Sequence, residues 1–160
     1  MGERVRCLVI AHRGASGTHP ENTIAAFRRA VDVGTGSGLL AAALARLGVP
    51  SVVALDVDAA VMPRARANLD RNGAREVRLF CGRADACRAR FDLVVANLLA
   101  DALVHDAAAL ASVTANDGRL VISGLLDTQI EVVTAAFAGW RTARVRSDDR
   151  WRTLALARAA

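Results

Sequence analysis

The stretch Val31-Asp32-Val33-Gly34-Thr35-Gly36-Ser37-Gly38 sets an acid two positions ahead of three glycines at alternate positions. A chain leaving a strand here must turn sharply and leave bare backbone against a ligand. Glycine supplies both properties, having no side chain and easy access to positive φ. The helix that follows would offer its unpaired N–H groups to the same ligand. Asp56 lies at the end of the next strand, about 20 residues on, where a carboxylate can accept both hydroxyls of a ribose. A tight turn alone would need the glycines but not the acid, so the two together point to an adenosine-type cofactor. A dinucleotide fingerprint needs GxGxxG, and its third glycine position here is Leu39.

These groups have to be positioned by alternating strands and helices, and the chain supplies them in the pattern of an α/β protein with a mainly parallel sheet. Residues 5–11 read as a buried strand. Thr18 and Glu21 make a capping box, and Ile24, Phe27 and Val31 recur on one face, so a helix is expected over residues 20–30. Residues 30–33 form a short strand, and an Ala/Leu helix then runs to a stop at Gly48. A strand over 51–55 precedes a helix with Asp58 as its cap and an end near Asn72-Gly73. Pro63 falls within that helix, which therefore either starts late or kinks. Further strands are expected over 76–81, 91–96, 119–123, 142–146 and 152–157, with helices over 100–114 and 128–138. Ser147-Asp148-Asp149-Arg150 is a turn-like tetrad, so the last two strands should pair as an antiparallel hairpin.

A chain of 160 residues, 53% hydrophobic and 23% charged, suits one globular core and excludes a disordered tail. The net charge of +5 is arginine against Asp and Glu, because lysine is absent. The arginines are spread along the sequence apart from a loose group between Arg64 and Arg90, which reads as solvated helix faces rather than a binding patch. With few aromatics, a base-stacking platform is not expected and nucleic acid is an unlikely partner. Cys7, Cys81 and Cys87 form no CxxC pair and are odd in number, which fits a reducing compartment; neither structural zinc nor another metal is expected. No apolar run approaches the ~20 residues of a membrane helix, so the expected location is the cytoplasm.

The segments "VDVGTGSGLLAAALARLG", "VVALDVDAAV", "FDLVVANLLADAL" and "GRLVISGLL", in this order, resemble the bacterial methyltransferases that modify large-subunit ribosomal protein eleven, which are class I S-adenosylmethionine-dependent enzymes. The resemblance implies a Rossmann-like, doubly wound, mainly parallel sheet with a C-terminal antiparallel hairpin. It makes S-adenosylmethionine the cofactor and a ribosomal protein a possible substrate. It implies that Asp32 helps to hold the methionine end, that Asp56 holds the ribose and that Asp85 reads the adenine amine, although a solvated loop aspartate would look the same. Asn97 would sit beside the transferred methyl and face the incoming amine; alternatively it caps the helix that follows. The separate N-terminal domain with which that family captures its substrate is not expected within these 160 residues.

The opening "IAHRGASGTHPENTIAAFRRAVD" resembles instead the N-terminus of glycerophosphodiester phosphodiesterases, over about residues 8–31. There, His12 would act in acid/base catalysis, Arg13 would contact phosphate and Glu21 would belong to the site. That family holds metal with an E-x-D pair, whereas Ala54-Leu55-Asp56 lacks the glutamate. Its site is built on a (β/α)₈ barrel of typically ~250 residues, far more than this fragment provides. The division expected is therefore residues 1–30 as a phosphodiesterase-like strand–helix unit and 31–160 as the cofactor-binding domain. "GTHP" also resembles a stretch ahead of the methyltransferase glycine loop, which would bring Thr18 to the cofactor. The competing functions are an amine-directed methyltransferase, a metal-dependent phosphodiesterase, and a non-catalytic hybrid weakened by an abrupt helix-to-strand junction at Ala30-Val31.

Overall fold

A computed structural model describes residues 27–159. The expected strand over 5–11, most of the expected helix over 20–30, and Thr18, His12, Arg13 and Glu21 lie outside the described residues.

Among the described residues, seven strands form one sheet in the order β3-β2-β1-β4-β5-β7-β6. They are β1 Arg29–Val33, β2 Ser51–Asp56, β3 Arg78–Cys81, β4 Phe91–Asn97, β5 Thr114–Leu126, β6 Trp140–Asp148 and β7 Trp151–Arg158. β1 to β5 are parallel, and β7 pairs antiparallel with both β5 and β6. The doubly wound sheet and its closing hairpin are those expected. Successive strands step outward from β1 to β3, and the chain then returns to place β4 on the other flank of β1.

Helices cover both faces. α1 Leu39–Arg46 and α2 Met62–Arg71 pack Ala41, Ala42, Leu44 and Leu69 against Ala30, Val52 and Ala54. α3 Ala100–His105, α4 Ala107–Val113 and α5 Ile130–Ala135 pack Leu103, Leu110 and Val133 against Val31, Val94, Ile122 and Leu154 on the opposite face. The side chains of β1 and β4 alternate between the two layers, as a strand buried on both sides requires. Among the described residues, no helix is long and apolar enough to cross a membrane.

The helix expected to run through Ala30 does not: Arg29 and Ala30 are already strand. Local spacing favours a helix there, but β1 is laddered on both sides, by β2 from Arg29 and by β4 from Ala30, and this long-range pairing wins. The entry is fixed by Asp92, whose carboxylate accepts from the Arg28 and Arg29 N–H groups at 2.9 and 3.0 Å, while Phe27 is buried against α1 and β2. Ala30-Val31 is thus the middle of a strand rather than an abrupt junction.

Three other boundaries shift for identifiable reasons. Asp58 caps a single 3₁₀ turn over Ala59–Val61, accepting from the Ala60 N–H at 2.8 Å; α2 then starts late, with Pro63 in its first turn where the missing N–H costs nothing. The helix expected over 100–114 is two helices, broken at Asp106, which receives Arg83 from across the sheet edge at 2.6 Å. α5 is likewise shorter than the expected 128–138, being preceded by a 3₁₀ turn over Asp127–Gln129.

Gly38 shows how tightly the glycine loop is packed. Its φ is +81°, and a Cβ there would lie 3.2 Å from the Ala65 carbonyl oxygen of α2. Gly38→Ala is expected to cost about 2 kcal/mol or more, from the left-handed backbone plus the contact with α2. Thermal denaturation should show a drop of roughly 5–10 °C; an unchanged midpoint would mean that the loop is not held against α2.

Candidate functional site

The glycine loop leaves the C-terminal end of β1, at the point where the sheet changes winding direction. Outside the carboxyl ends of the strands at such a point, two loops diverge and leave a crevice, which is where open α/β sheets bind ligands. Asp56 ends β2 on one side and Asn97 ends β4 on the other. Parallel register with β1, Val33 against Leu55 and against Ala96, puts both at the same edge as the loop.

The loop is built on hydrogen bonds. The Gly34 and Thr35 N–H groups both donate to the Leu55 carbonyl at 2.9 Å, and the Gly38 N–H donates to the Thr35 carbonyl at 2.9 Å. The Asn68 side chain of α2 donates to the Ser37 carbonyl at 2.9 Å. Gly34 and Gly36 have φ of +71° and +51°, and a Cβ on Gly34 would collide with Leu98. Leu98 therefore leans over the start of the loop from the end of β4.

Asp32 is 1% exposed. Its Oδ2 accepts from the Thr35 hydroxyl at 2.7 Å and from the Ala41 N–H at 3.0 Å, tying the loop to the first turn of α1. Its Oδ1 is buried and has no partner among the described residues. Burial pushes the carboxyl up from its usual 3.8 to about 6; the hydrogen bonds from Thr35 and Ala41 restrain the rise, and the Asp56 carboxylate adds to it. A buried carboxylate oxygen without a donor is costly unless something supplies one. Under a loop of bare backbone, that donor can be a ligand's cationic nitrogen, directly or through water, so these residues fit an amine-bearing nucleoside.

Asp56 stands at the rim. Its Oδ2 accepts from the Gly36 N–H at 2.9 Å and its Oδ1 from the Asp58 N–H at 3.1 Å, leaving further lone pairs on each oxygen for ribose hydroxyls. Next to it, Val57 is 66% exposed, an apolar surface at the rim whose signal in the sequence is only its place after the acid. Asp85 lies on a 3₁₀ turn, Ala84–Ala86, beyond β3. It is exposed, 3.7 Å from Arg83, and makes no hydrogen bond to the loop or to Asp56. The structure thus brings together Asp32, Gly34, Thr35, Gly36, Gly38, Asp56 and Asn97, with Asp85 on a neighbouring turn and Thr18 outside the described residues.

Asn97 is exposed at the end of β4, level with Ser123 of β5. Its amide makes no hydrogen bond among the described residues, and the cap of α3 is Leu99, without a side-chain cap, so Asn97 does not cap that helix. Gly124 leaves room for it: a Cβ there would sit 2.9 Å from the Asn97 Oδ1. From Asn97 a cavity of about 640 Å³ opens towards the β6–β7 turn, lined in part by Leu99, Ser123, Arg146, Asp148 and Trp151. The sequence reading missed this wall, whose one signal was an exposed-type Trp beside a charged turn. His105 ends α3, and the neighbouring Asp106 is taken by Arg83. Among the described residues no three His, Cys, Asp or Glu side chains gather as a metal site would require.

The sequence model described as ribosomal protein L11 methyltransferase (PrmA) matches residues 18–159, taking in part of the stretch that resembles a phosphodiesterase. The ribosomal protein L11 methyltransferase of Dechloromonas aromatica is 36% identical over 145 residues, 83% of this chain and 48% of that protein. That of Pelotomaculum thermopropionicum is 40% identical over 128 residues, 79% of this chain and 42% of that protein. The crystal structure of ribosomal protein L11 methylase from Lactobacillus delbrueckii subsp. bulgaricus superposes with a TM-score of 0.79 at 33% identity, covering 82% of this chain and 70% of the other. The chain spans about half the length of the curated relatives it matches. On the residues of the glycine loop, the strand order and this likeness, the chain belongs to the ribosomal protein L11 methyltransferase family.

Proposed function

We propose that this chain transfers the methyl group of S-adenosylmethionine to an amine nitrogen of a protein, a ribosomal protein in the first place, in the cytoplasm. The observation that carries the reading is the buried, unpartnered Oδ1 of Asp32 beneath the glycine loop, with Asp56 at the rim and Asn97 across the crevice.

In this reading Asp32 and the loop backbone hold the methionine end, Asp56 the ribose, Asp85 the adenine amine, and Thr18 covers the methionine end from the N-terminal side. Bound S-adenosylmethionine supplies a methyl group already activated by its sulfonium. What remains for the protein is mainly alignment of a nucleophile for in-line attack. The Asn97 amide oxygen accepts a hydrogen bond from the acceptor amine and orients its lone pair. Asn97 is no base, so a lysine amine, with a reference pKa near 10.4, must lose its proton to solvent or another group before attack. The cofactor-binding domain is residues 31–160, with β1 drawing in Arg29 and Ala30 and with Thr18 contributed from the segment before it; the phosphodiesterase likeness of the N-terminal residues has no catalytic role.

Asp56→Ala tests the cofactor half of the proposal. Losing charge-assisted hydrogen bonds of ~1.5–3 kcal/mol is expected to weaken S-adenosylmethionine binding roughly tenfold to hundredfold by calorimetry. Equal affinity in variant and parent would remove Asp56 from the site.

A further inference from the structure

The cavity beside Asn97 is wider than methyl transfer to a small amine requires. Its lining comes from the ends of four neighbouring strands: Asn97 on β4, Ser123 on β5, Trp151 on β7, and Arg146 and Asp148 on β6. Three strand spacings separate Asn97 from β6, about 14 Å. A lysine side chain, five bonds of about 1.5 Å in zigzag, reaches only about 6 Å. An amine aligned by Asn97 therefore leaves the far half of the groove to whatever carries that amine.

The far wall has a definite chemical character. Arg146 and Asp148 are two residues apart on one strand, so they share a face with about 7 Å between them. Both are exposed, and neither makes a hydrogen bond or ion pair among the described residues. The third charged residue of the lining, Arg152, is committed: it donates to the Asp127 carboxylate at 2.9 Å and to the Asp149 carbonyl at 2.7 Å. Trp151, 47% exposed, provides a flat apolar surface between this wall and Asn97, with the Arg150 guanidinium 5.5 Å from its ring centroid. In an extended polypeptide, side chains two residues apart also share a face at about 7 Å.

We propose that Arg146 and Asp148 read the residues flanking the acceptor amine, selecting a polypeptide segment with an acidic and a basic side chain two positions apart. The segment crosses Trp151, sets its carboxylate against Arg146 and its cation against Asp148, and delivers its lysine to Asn97. Complementary rim charges of this kind set register and partner choice more than overall affinity. The inference rests on the methyl-transfer reading, since the acceptor amine defines which end of the groove is which.

The test uses the full chain and four ten-residue peptides with one lysine each, whose flanking residues carry an acid and a base, an acid alone, a base alone, or neither. Binding is followed by fluorescence anisotropy of the labelled peptides and transfer by radiolabelled S-adenosylmethionine. The doubly charged peptide is expected to bind best. Arg146→Gln removes the advantage of the acid, about threefold, and leaves that of the base, whereas Asp148→Asn does the reverse. Neither variant changes the affinity for S-adenosylmethionine. Equal binding of all four peptides, or variants that weaken all four alike, would overturn the inference while leaving methyl transfer standing. Selective binding without transfer to any peptide would instead contradict the methyl-transfer reading.

Discussion

Replacing Asn97 by alanine is expected to lower methyl-transfer turnover about a hundredfold, the cost of losing alignment at the reacting atoms. Affinity for S-adenosylmethionine should stay within about twofold, because none of the groups assigned to the cofactor is on β4, which carries Asn97. The amide has no structural role among the described residues, since it is exposed, does not cap α3, and has its oxygen kept accessible by Gly124. Thermal stability should accordingly be unchanged, and single-turnover kinetics beside a calorimetric titration would separate the two effects. A variant that loses cofactor affinity and turnover together would make Asn97 part of the cofactor cradle rather than the acceptor's guide.

Asp32→Asn should produce the opposite combination, with cofactor affinity down about tenfold to hundredfold and no loss of stability at pH 8. The carboxyl of Asp32 titrates near 6 in the fold instead of its usual 3.8. The folded state therefore binds its proton more tightly than the unfolded chain does. Stability from this source is complete below about pH 4, falls as pH rises through 6, and is then absent; the difference is on the order of 3 kcal/mol. Asparagine, which carries no charge to bury, escapes this fall. A ligand cation near Asp32 favours the ionised form, so affinity in the parent protein should rise as pH increases from 5 to about 7 and then level off, while the Asp32→Asn protein stays flat over that range. Calorimetry across this range reads both; a parallel rise in the two proteins would exclude Asp32 as the group responsible.

The parts of this fold that were legible in the sequence are those decided by short-range physics. The glycine loop follows from residue types at fixed spacing, and Pro63 signalled a late helix start or a kink, of which the late start is the one formed. The β6–β7 hairpin followed from a tetrad of turn residues, of which only Asp149 and Arg150 remain outside the strands. Elements decided by distant partners were not legible. Residues 27–30 carry a helical spacing, yet β2, β4 and the Asp92 carboxylate make a strand of Arg29 and Ala30. The break between α3 and α4 depends on Arg83, 23 residues before Asp106. The groove wall of Arg146, Asp148 and Trp151 had a Trp beside a charged turn as its one signal, because the wall exists only once β7 inserts between β5 and β6.

The proposition on which the rest depends is that the crevice over Gly34, Thr35, Gly36 and Gly38 accepts an adenosyl cofactor with its amino acid end towards Asp32. The most direct measurement is a calorimetric titration of the purified chain with S-adenosylhomocysteine, the demethylated form of the cofactor, with NAD as the comparison. One binding site for S-adenosylhomocysteine, at least tenfold tighter than any heat from NAD, is the result expected from a loop that lacks the third dinucleotide glycine. No saturable heat from S-adenosylhomocysteine, or equal affinity for the two ligands, would contradict it.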